Sequence, residues 1–287
     1  MVSLTKPSGT FPTGIVLYHG RSTASRDNVV AIATNFNRSD NPKTGKGLQV
    51  WILPADINPV EAYKIGKDRI VCGDCNHSSI ANGGWGTCYT KVHQAPNNVW
   101  KAWKNGSYEN PSKSNIGAFR GKFVRIGAYG DPGIIPVEVW EKLAEYCDSC
   151  TGYTHLWNRS FTDQRLKKFC MASCDSVKMQ KMARRKGWRT FRVREKTDKV
   201  LKGEIICPAS KEAGHKTVCN KCKFCGGTGS KAKKFAATII FHGQKWKIAR
   251  YAKIMALKRQ KKSFKPLLTQ PVRKDKKFKN ESKNKNN

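Results

Sequence analysis

Four thiols within nineteen residues, Cys207, Cys219, Cys222 and Cys225, followed by Gly226 and Gly227, constrain the chain more than any other stretch. A Cys-x2-Cys-x2-Cys run folds back so that three thiolates face one centre, and Cys207, with eleven residues between it and Cys219, can close the coordination as a fourth ligand. Such donors suit tetrahedral zinc or an iron–sulfur cluster. The doubled two-residue spacing favours the cluster, because structural zinc more often uses Cys-x2-Cys pairs separated by a longer insert.

A second thiol group lies upstream. Cys72 and Cys75 are followed, after twelve intervening residues, by Cys88, with His77 and His93 as candidate fourth ligands. Three thiolates with one position free are what a cluster needs if one iron is to bind a substrate or cofactor. A structural zinc held by three Cys and one His fits the spacing equally well. Cys147-x2-Cys150 is a weaker candidate, because Cys147 falls on the apolar face of a predicted helix and reads as core. Cys170 and Cys174 read as small hydrophobes on one side of a strand.

The chain has 287 residues and a net charge of +35, from 55 Lys and Arg against 20 Asp and Glu. That excess goes beyond what solubility needs and predicts a polyanionic partner, nucleic acid before a membrane surface. From Ser230 onward there are 19 Lys or Arg and two acids, and the Lys/Asn-rich end reads as a disordered polycation from about Pro266. The first residues lack the apolar run of a signal peptide and no later run is long enough to span a bilayer, which predicts a cytoplasmic protein. In a reducing compartment eleven cysteines point to metal ligation, and an odd number cannot all pair.

Residues 1–70 read as a β-rich segment, with strands at Gly14–His19, Asn28–Thr34 and Leu48–Leu53. Residues 71–245 alternate strand and helix: strands at Phe123–Tyr129, Gly152–Trp157, Lys168–Ser173, Trp188–Val193, Glu204–Cys207 and Phe235–His242, with helices carrying Trp140, Leu143 and Ala144, then Met179, Met182 and Ala183. This alternation predicts a parallel sheet covered by helices, a complete or partial β/α barrel before an open doubly wound sheet, with the cysteine loops as metal-binding insertions. Residues 246–287 read as a basic helix, with Ile248, Tyr251, Ala252 and Met255 on one stripe, and a tail. The helix is either docked on the core or turned toward nucleic acid.

In parallel α/β folds, reactive groups collect at the carboxyl ends of the strands. Here those ends carry Tyr129 and Asp131, His155, Ser173 and Asp175, Arg192 and Arg194, and Glu204 with Cys207, a set predicted to line one mouth. Tyr129, Asp131, His155, Asp175, Arg192 and Glu204 are therefore the candidate catalytic residues, with the C-terminal thiols entering from the same edge. There is no phosphate-binding Gly-x4-Gly-Lys-Ser/Thr, no dinucleotide Gly-x-Gly-x2-Gly and no nucleophile elbow.

Several stretches together, Cys72-Gly-Asp-Cys75-Asn-His77, Cys88-Tyr89, Arg125-Ile-Gly-Ala-Tyr-Gly-Asp-Pro132, Gly152-Tyr-Thr-His155, Met171-Ala-Ser-Cys-Asp-Ser176, Gly187-Trp-Arg-Thr-Phe-Arg-Val193 and Cys207-Pro-Ala-Ser, resemble an uncharacterised cysteine-rich family encoded mainly by bacteriophages. The resemblance runs from about residue 70 to 228 and implies a phage protein at work in the bacterial cytoplasm. A looser similarity is to radical-SAM-like phage proteins, which implies S-adenosylmethionine as a cofactor. The Cys72, Cys75 and Cys88 spacing departs from their usual Cys-x3-Cys-x2-Cys. Two functions follow: an iron–sulfur enzyme acting on or near nucleic acid or nucleotides, or a zinc-stabilised nucleic-acid binder without turnover.

Overall fold

The computed structural model describes residues 12–37, 44–230 and 236–260. The predicted tail from Pro266 lies outside them.

The chain opens with an antiparallel meander. Strands β1 (Gly14–Arg21), β2 (Asn28–Thr34) and β3 (Gly47–Pro54) are runs of Val, Ile, Leu and Ala bounded by Asn, Gly and Pro, and β2 is buried along six of its seven residues. Helices α1 (Pro59–Ile65), α2 (Arg69–Cys72) and α3 (Ala95–Lys104) follow, α1 started by Asn58 accepting from the Val60 amide and stopped by Gly66 at φ 82°. Strand β4 (Phe123–Tyr129) then lies parallel to β3. Helix α4 (Val137–Tyr146) buries Val137, Trp140 and Leu143 and leads to β5 (Ser149–Thr151), parallel to β4.

At Gly152 the chain passes from this first sheet, ordered β1-β2-β3-β4-β5, into a second. Strand β6 (Tyr153–Thr154) pairs there with β7 (Met171–Cys174), and after helix α5 (Val177–Arg185) comes β8 (Thr190–Arg194). The edge strand β9 (Glu204–Ile206), the short helix α6 (Cys219–Cys222) and strand β10 (Ala236–Ile240) complete an all-parallel sheet ordered β6-β7-β8-β10-β9. The last strand thus inserts between its two predecessors. Mixed α/β architecture with one fully parallel sheet matches the alternation read from the sequence.

Helix α7 (Lys245–Gln260) docks on the body by Tyr251, 3% exposed, while Ile248 is 41% exposed, so only part of the predicted stripe is buried. Three of its cations, Lys247, Arg250 and Lys258, turn toward the body, while Lys245 and Lys253 are exposed. Lys247 donates to the Cys88 carbonyl, Arg250 Nε donates to the Trp85 carbonyl at 2.6 Å, and Lys258 Nζ sits 3.8 Å from the centre of the Trp85 ring. The helix is thus docked on the body along this face.

Candidate metal centre

Both thiol groups line one cavity of about 210 Å³: Cys72, Cys75 and Cys88 on one side, Cys207, Cys219, Cys222 and Cys225 on the other. Much of the rest of its wall comes from strands, Arg125, Gly127 and Tyr129 on β4, Phe191 and Val193 on β8, Ala237 and Ile239 on β10. A strand points successive side chains to opposite faces, so β8 and β10 give every second residue to the cavity, while the end of β4 and the residues after it line it continuously from Gly127 to Asp131. Thr151 and Tyr153 keep the same alternation across the Gly152 crossing.

That alternation sorts the predicted site residues. Tyr129, Asp131, His155 and Ser173 line the cavity together with the seven thiols. Arg192 lies one residue out of phase with Phe191 and Val193 and is absent from the lining. Its guanidinium instead grips Glu204, Nε to Oε1 and Nη2 to Oε2 both at 2.7 Å, with the two side chains 3% and 0% exposed. Glu204 also accepts from Gln180 at 2.6 Å and from the Leu201 amide at 2.8 Å, so it is fully occupied in joining β9 to β8 across β10. Arg194 likewise pairs with Glu212 away from the cavity. The expectation that consecutive strand ends all face one mouth thus fails for these residues, because it ignores the pleat.

Asp131 and Asp175 are buried and committed. Asp131 accepts from the Gly133 amide at 2.9 Å and the His155 amide at 2.7 Å, so its carboxylate sets where His155 stands, and burial pushes its pKa up. Asp175 accepts from Asn76 Nδ2 at 2.7 Å and faces His77 Nε2 at 3.2 Å and His155 Nε2 at 3.9 Å. Burial works to raise the Asp175 pKa, but His77, His155 and Asn76 outweigh it and hold the carboxyl well below its usual range. His155 Nε2 also stands 3.9 Å from Cys75 Sγ, and burial pulls its pKa down.

His77, predicted as a fourth ligand, has both ring nitrogens engaged. Nδ1 is 2.8 Å from Thr87 Oγ1, Nε2 faces Asp175, and the ring stacks on Phe241 at 5.4 Å. It lines the cavity and, in this arrangement, braces the cysteine loop. His93 is exposed outside the cavity lining.

The thiols are electrostatically coupled within each group. Burial first, and then the neighbouring carboxylates and thiols, push Cys72 and Cys75 well above the ordinary thiol range, and Cys88 moves up for the same first reason. Cys225 is pushed up to about 12, by burial and then by Cys207, Cys219 and Cys222. Among the described residues no group of three or more His, Cys, Asp or Glu side chains is arranged to hold a metal ion as it stands. The thiols surround a space rather than a point.

Sequence reasoning misses Arg125, Tyr89 and the aromatic walls. Arg125 hydrogen-bonds the Tyr89 hydroxyl, lines the cavity, and forms no ion pair with a carboxylate among the described residues. Tyr153, Phe191, Phe224 and Phe241 make the walls. The signal that could have found them is the period-two pattern, Arg125-Ile-Gly-Ala-Tyr129 above all, read strand by strand.

No protein-family model matches the chain, no curated protein matches it, and no solved structure matches it.

Proposed function

We propose that the chain is an iron–sulfur enzyme whose substrate enters the cavity between the two thiol groups. The observation that carries this reading is the convergence of seven cysteines, drawn from two separate loops, on one apolar cavity. Cys72, Cys75 and Cys88 would hold the centre nearest the substrate, and Cys207, Cys219, Cys222 and Cys225 an auxiliary one. In a cluster each iron takes its own thiolate, so the ligand sulfurs stand further apart than around a single zinc, which suits thiols ranged about a space. A three-thiolate cluster with an open iron supplies electrons or a coordination site to a bound molecule. S-adenosylmethionine is one cofactor that could use such a site.

The rest of the chemistry belongs to side chains. The aromatic walls exclude water and accept the flat face of a base or another apolar body. Arg125 offers a positive charge on that wall for an anionic group, and His155, oriented by Asp131 and Asp175, can carry a proton beside Cys75. The run of alternate lining residues from β4 through β10, continuous across Gly152, supports reading the two sheets as one curved layer, a partial barrel.

Protein purified without air should contain iron and acid-labile sulfide and absorb broadly in the visible. Cys88→Ser should remove one part of that absorption and Cys222→Ser another, with Cys222→Ser also lowering the melting temperature because metal binding is coupled to folding. Stoichiometric zinc without iron would replace this reading with the structural-zinc one.

The net charge of +35 supports a nucleic-acid or nucleotide partner in the phage-infected cytoplasm that the resemblance implies. Removing residues 266–287 should weaken DNA or RNA binding at about 0.1 M salt and flatten its dependence on log salt, since the slope shrinks by just under one unit for every phosphate the shortened chain no longer neutralises. Unchanged affinity and slope would move the binding surface to the folded face.

A further inference from the structure

Cys147 and Cys150 stand apart from the cavity described above. Cys147 closes the C-terminus of α4, its amide bonded to the Leu143 carbonyl at 3.1 Å, and Cys150 lies on β5. Their sulfurs are 3.2 Å apart, inside the contact distance of two non-bonded sulfur atoms, and both residues are partly exposed. The pair borders a second cavity, whose wall also carries Lys168, Lys223 and Cys222. Lys223 Nζ reaches Asp148 at 2.5 Å, so the turn between the two cysteines is tied to the loop that bears Cys222. By contrast Cys170 and Cys174 are sealed in the core at 0% exposure.

We propose that Cys147 and Cys150 form a thiol–disulfide exchange site that reacts with low-molecular-weight disulfides from the second cavity. Either thiol can donate to the other across the 3.2 Å gap, so either can attack as the thiolate while its neighbour resolves the mixed disulfide.

In the first step one thiolate of the pair, Cys147 for example, attacks one sulfur of the small disulfide. A mixed disulfide forms at Cys147 and one thiolate leaves. In the second, Cys150 gives up its proton and attacks the Cys147 sulfur, releasing the other half of the small disulfide as its thiolate. Two protein thiols and one disulfide become one protein disulfide and two small thiols, with the two electrons passing to the small molecule. Because the Cys147–Cys150 turn is held to Lys223, closing the bond is positioned to be felt at the Cys222 loop.

The test uses the full chain purified anaerobically with its metal content retained, and oxidised glutathione as the probe. After treatment the free thiols are alkylated and the peptides mapped. The expected result is a disulfide joining Cys147 to Cys150, removed again by dithiothreitol, with the other cysteines unlinked. Cys150→Ser should trap glutathione on Cys147, and Cys147→Ser should trap it on Cys150, in each case severalfold more than on any other cysteine. Full alkylation of both residues after treatment would overturn the proposal. So would glutathione or a disulfide appearing first at other cysteines, or protection of the pair in reduced protein that disappears when metal is stripped, since that would make the two residues ligands. Should either variant fail to fold, the mapping of the unaltered chain decides alone.

Discussion

Around Cys72, Cys75 and Cys88 distant groups hold the loop through its side chains as well as its carbonyls, whereas around Cys219, Cys222 and Cys225 they hold it chiefly through carbonyls. In the first loop, buried Asp68 accepts from the Ser79 hydroxyl at 2.6 Å and its amide at 2.9 Å, Asp175 reaches Asn76 and His77, and α7 clamps the far side through Lys247 and Arg250. In the second, Arg189 Nη1 donates to the Phe224 carbonyl at 2.7 Å and the Gly227 carbonyl at 3.0 Å, and Thr151 donates to the Cys225 carbonyl at 3.0 Å. A loop fixed by many side chains keeps its shape before any ion arrives. A loop fixed at a few carbonyls relies more on the ion itself. The first wall is thus the better prepared to hold geometry at a reacting centre, and the second the more dependent on its metal for folding.

The largest expected effect that separates the two walls is at Arg189. This side chain is buried at 5% exposure, and its guanidinium lies 4.4 Å from the centre of the Phe224 ring. Arg189→Ala leaves the Phe224 carbonyl without its donor and the Gly227 carbonyl with the Ser230 amide alone, and it removes the cation over the Phe224 ring, a destabilisation of about 3–4 kcal/mol when a buried orphan costs about 1–3 kcal/mol and a desolvated cation–ring contact about 1–2. Metal bound by the second group should fall while that of the first stays, as read by metal content in the Arg189→Ala and Cys88→Ser backgrounds. Equal depletion of both groups would mean that the walls form one cooperative unit.

Next in size is Glu204→Gln. Burial works to raise the Glu204 pKa, and the Arg192 contact, the Leu201 amide and Gln180 outweigh it, so the folded-state value lies below the ordinary one. A carboxylate depressed in this way contributes stability that is fully present above its unfolded pKa and is lost as pH falls through the folded value. At neutral pH the Gln variant should be less stable by about 3 kcal/mol, the scale for breaking one side of a buried pair. The gap should narrow as the pH is taken down through the carboxylate range. Because β9 leads directly into Cys207, the second thiol group should loosen and the first should not. A gap that stays constant with pH in chemical denaturation would rule out the charged pair as its source.

Much of this layout is legible in the chain. The limits of β2 and β4 follow from apolar runs that end at Asn, Gly and Asp, and the packing of Trp140 and Leu143 follows from helical spacing. The apolar run predicts a strand over Gly152–Trp157, which is too late: pairing covers Ser149–Thr151 and Tyr153–Thr154, while Leu156 and Trp157 are buried beyond it, so their apolarity belongs to the core rather than to a strand. The insertion of β10 between β8 and β9 is not written in any local pattern, since the order of parallel strands is decided by long-range packing. Both thiol groups stand out by spacing alone. Arg192 and Glu204 pair with each other across 12 residues, and His77 meets Thr87 and Asp175 10 and 98 residues away, contacts about which a strand end or a nearby cysteine says nothing. Helical period assigns Cys147 to the core because it extends α4 through a turn that in fact ends it.

The smallest effect tests the clamp on the first wall. Lys247 is 6% exposed, burial lowers its pKa, and its ammonium group donates to the carbonyl of Cys88. Lys247→Met keeps most of the stem that packs along the loop and removes only the donor. The hydrogen bond comes from a charged group, so removing it should cost about 1.5 kcal/mol, less than the other changes because Arg250 still holds the neighbouring turn. The loop around Cys88 should then open more often. In metal-free, reduced protein the alkylation rate of Cys88 should rise severalfold, while that of Cys222 should not move. If the two rates rise together, α7 steadies the whole cavity and the contrast between a prepared wall and a metal-dependent one disappears. If neither rises, the side chains of Asp68, His77 and Asp175 suffice to hold the first loop, and the clamp from α7 is redundant.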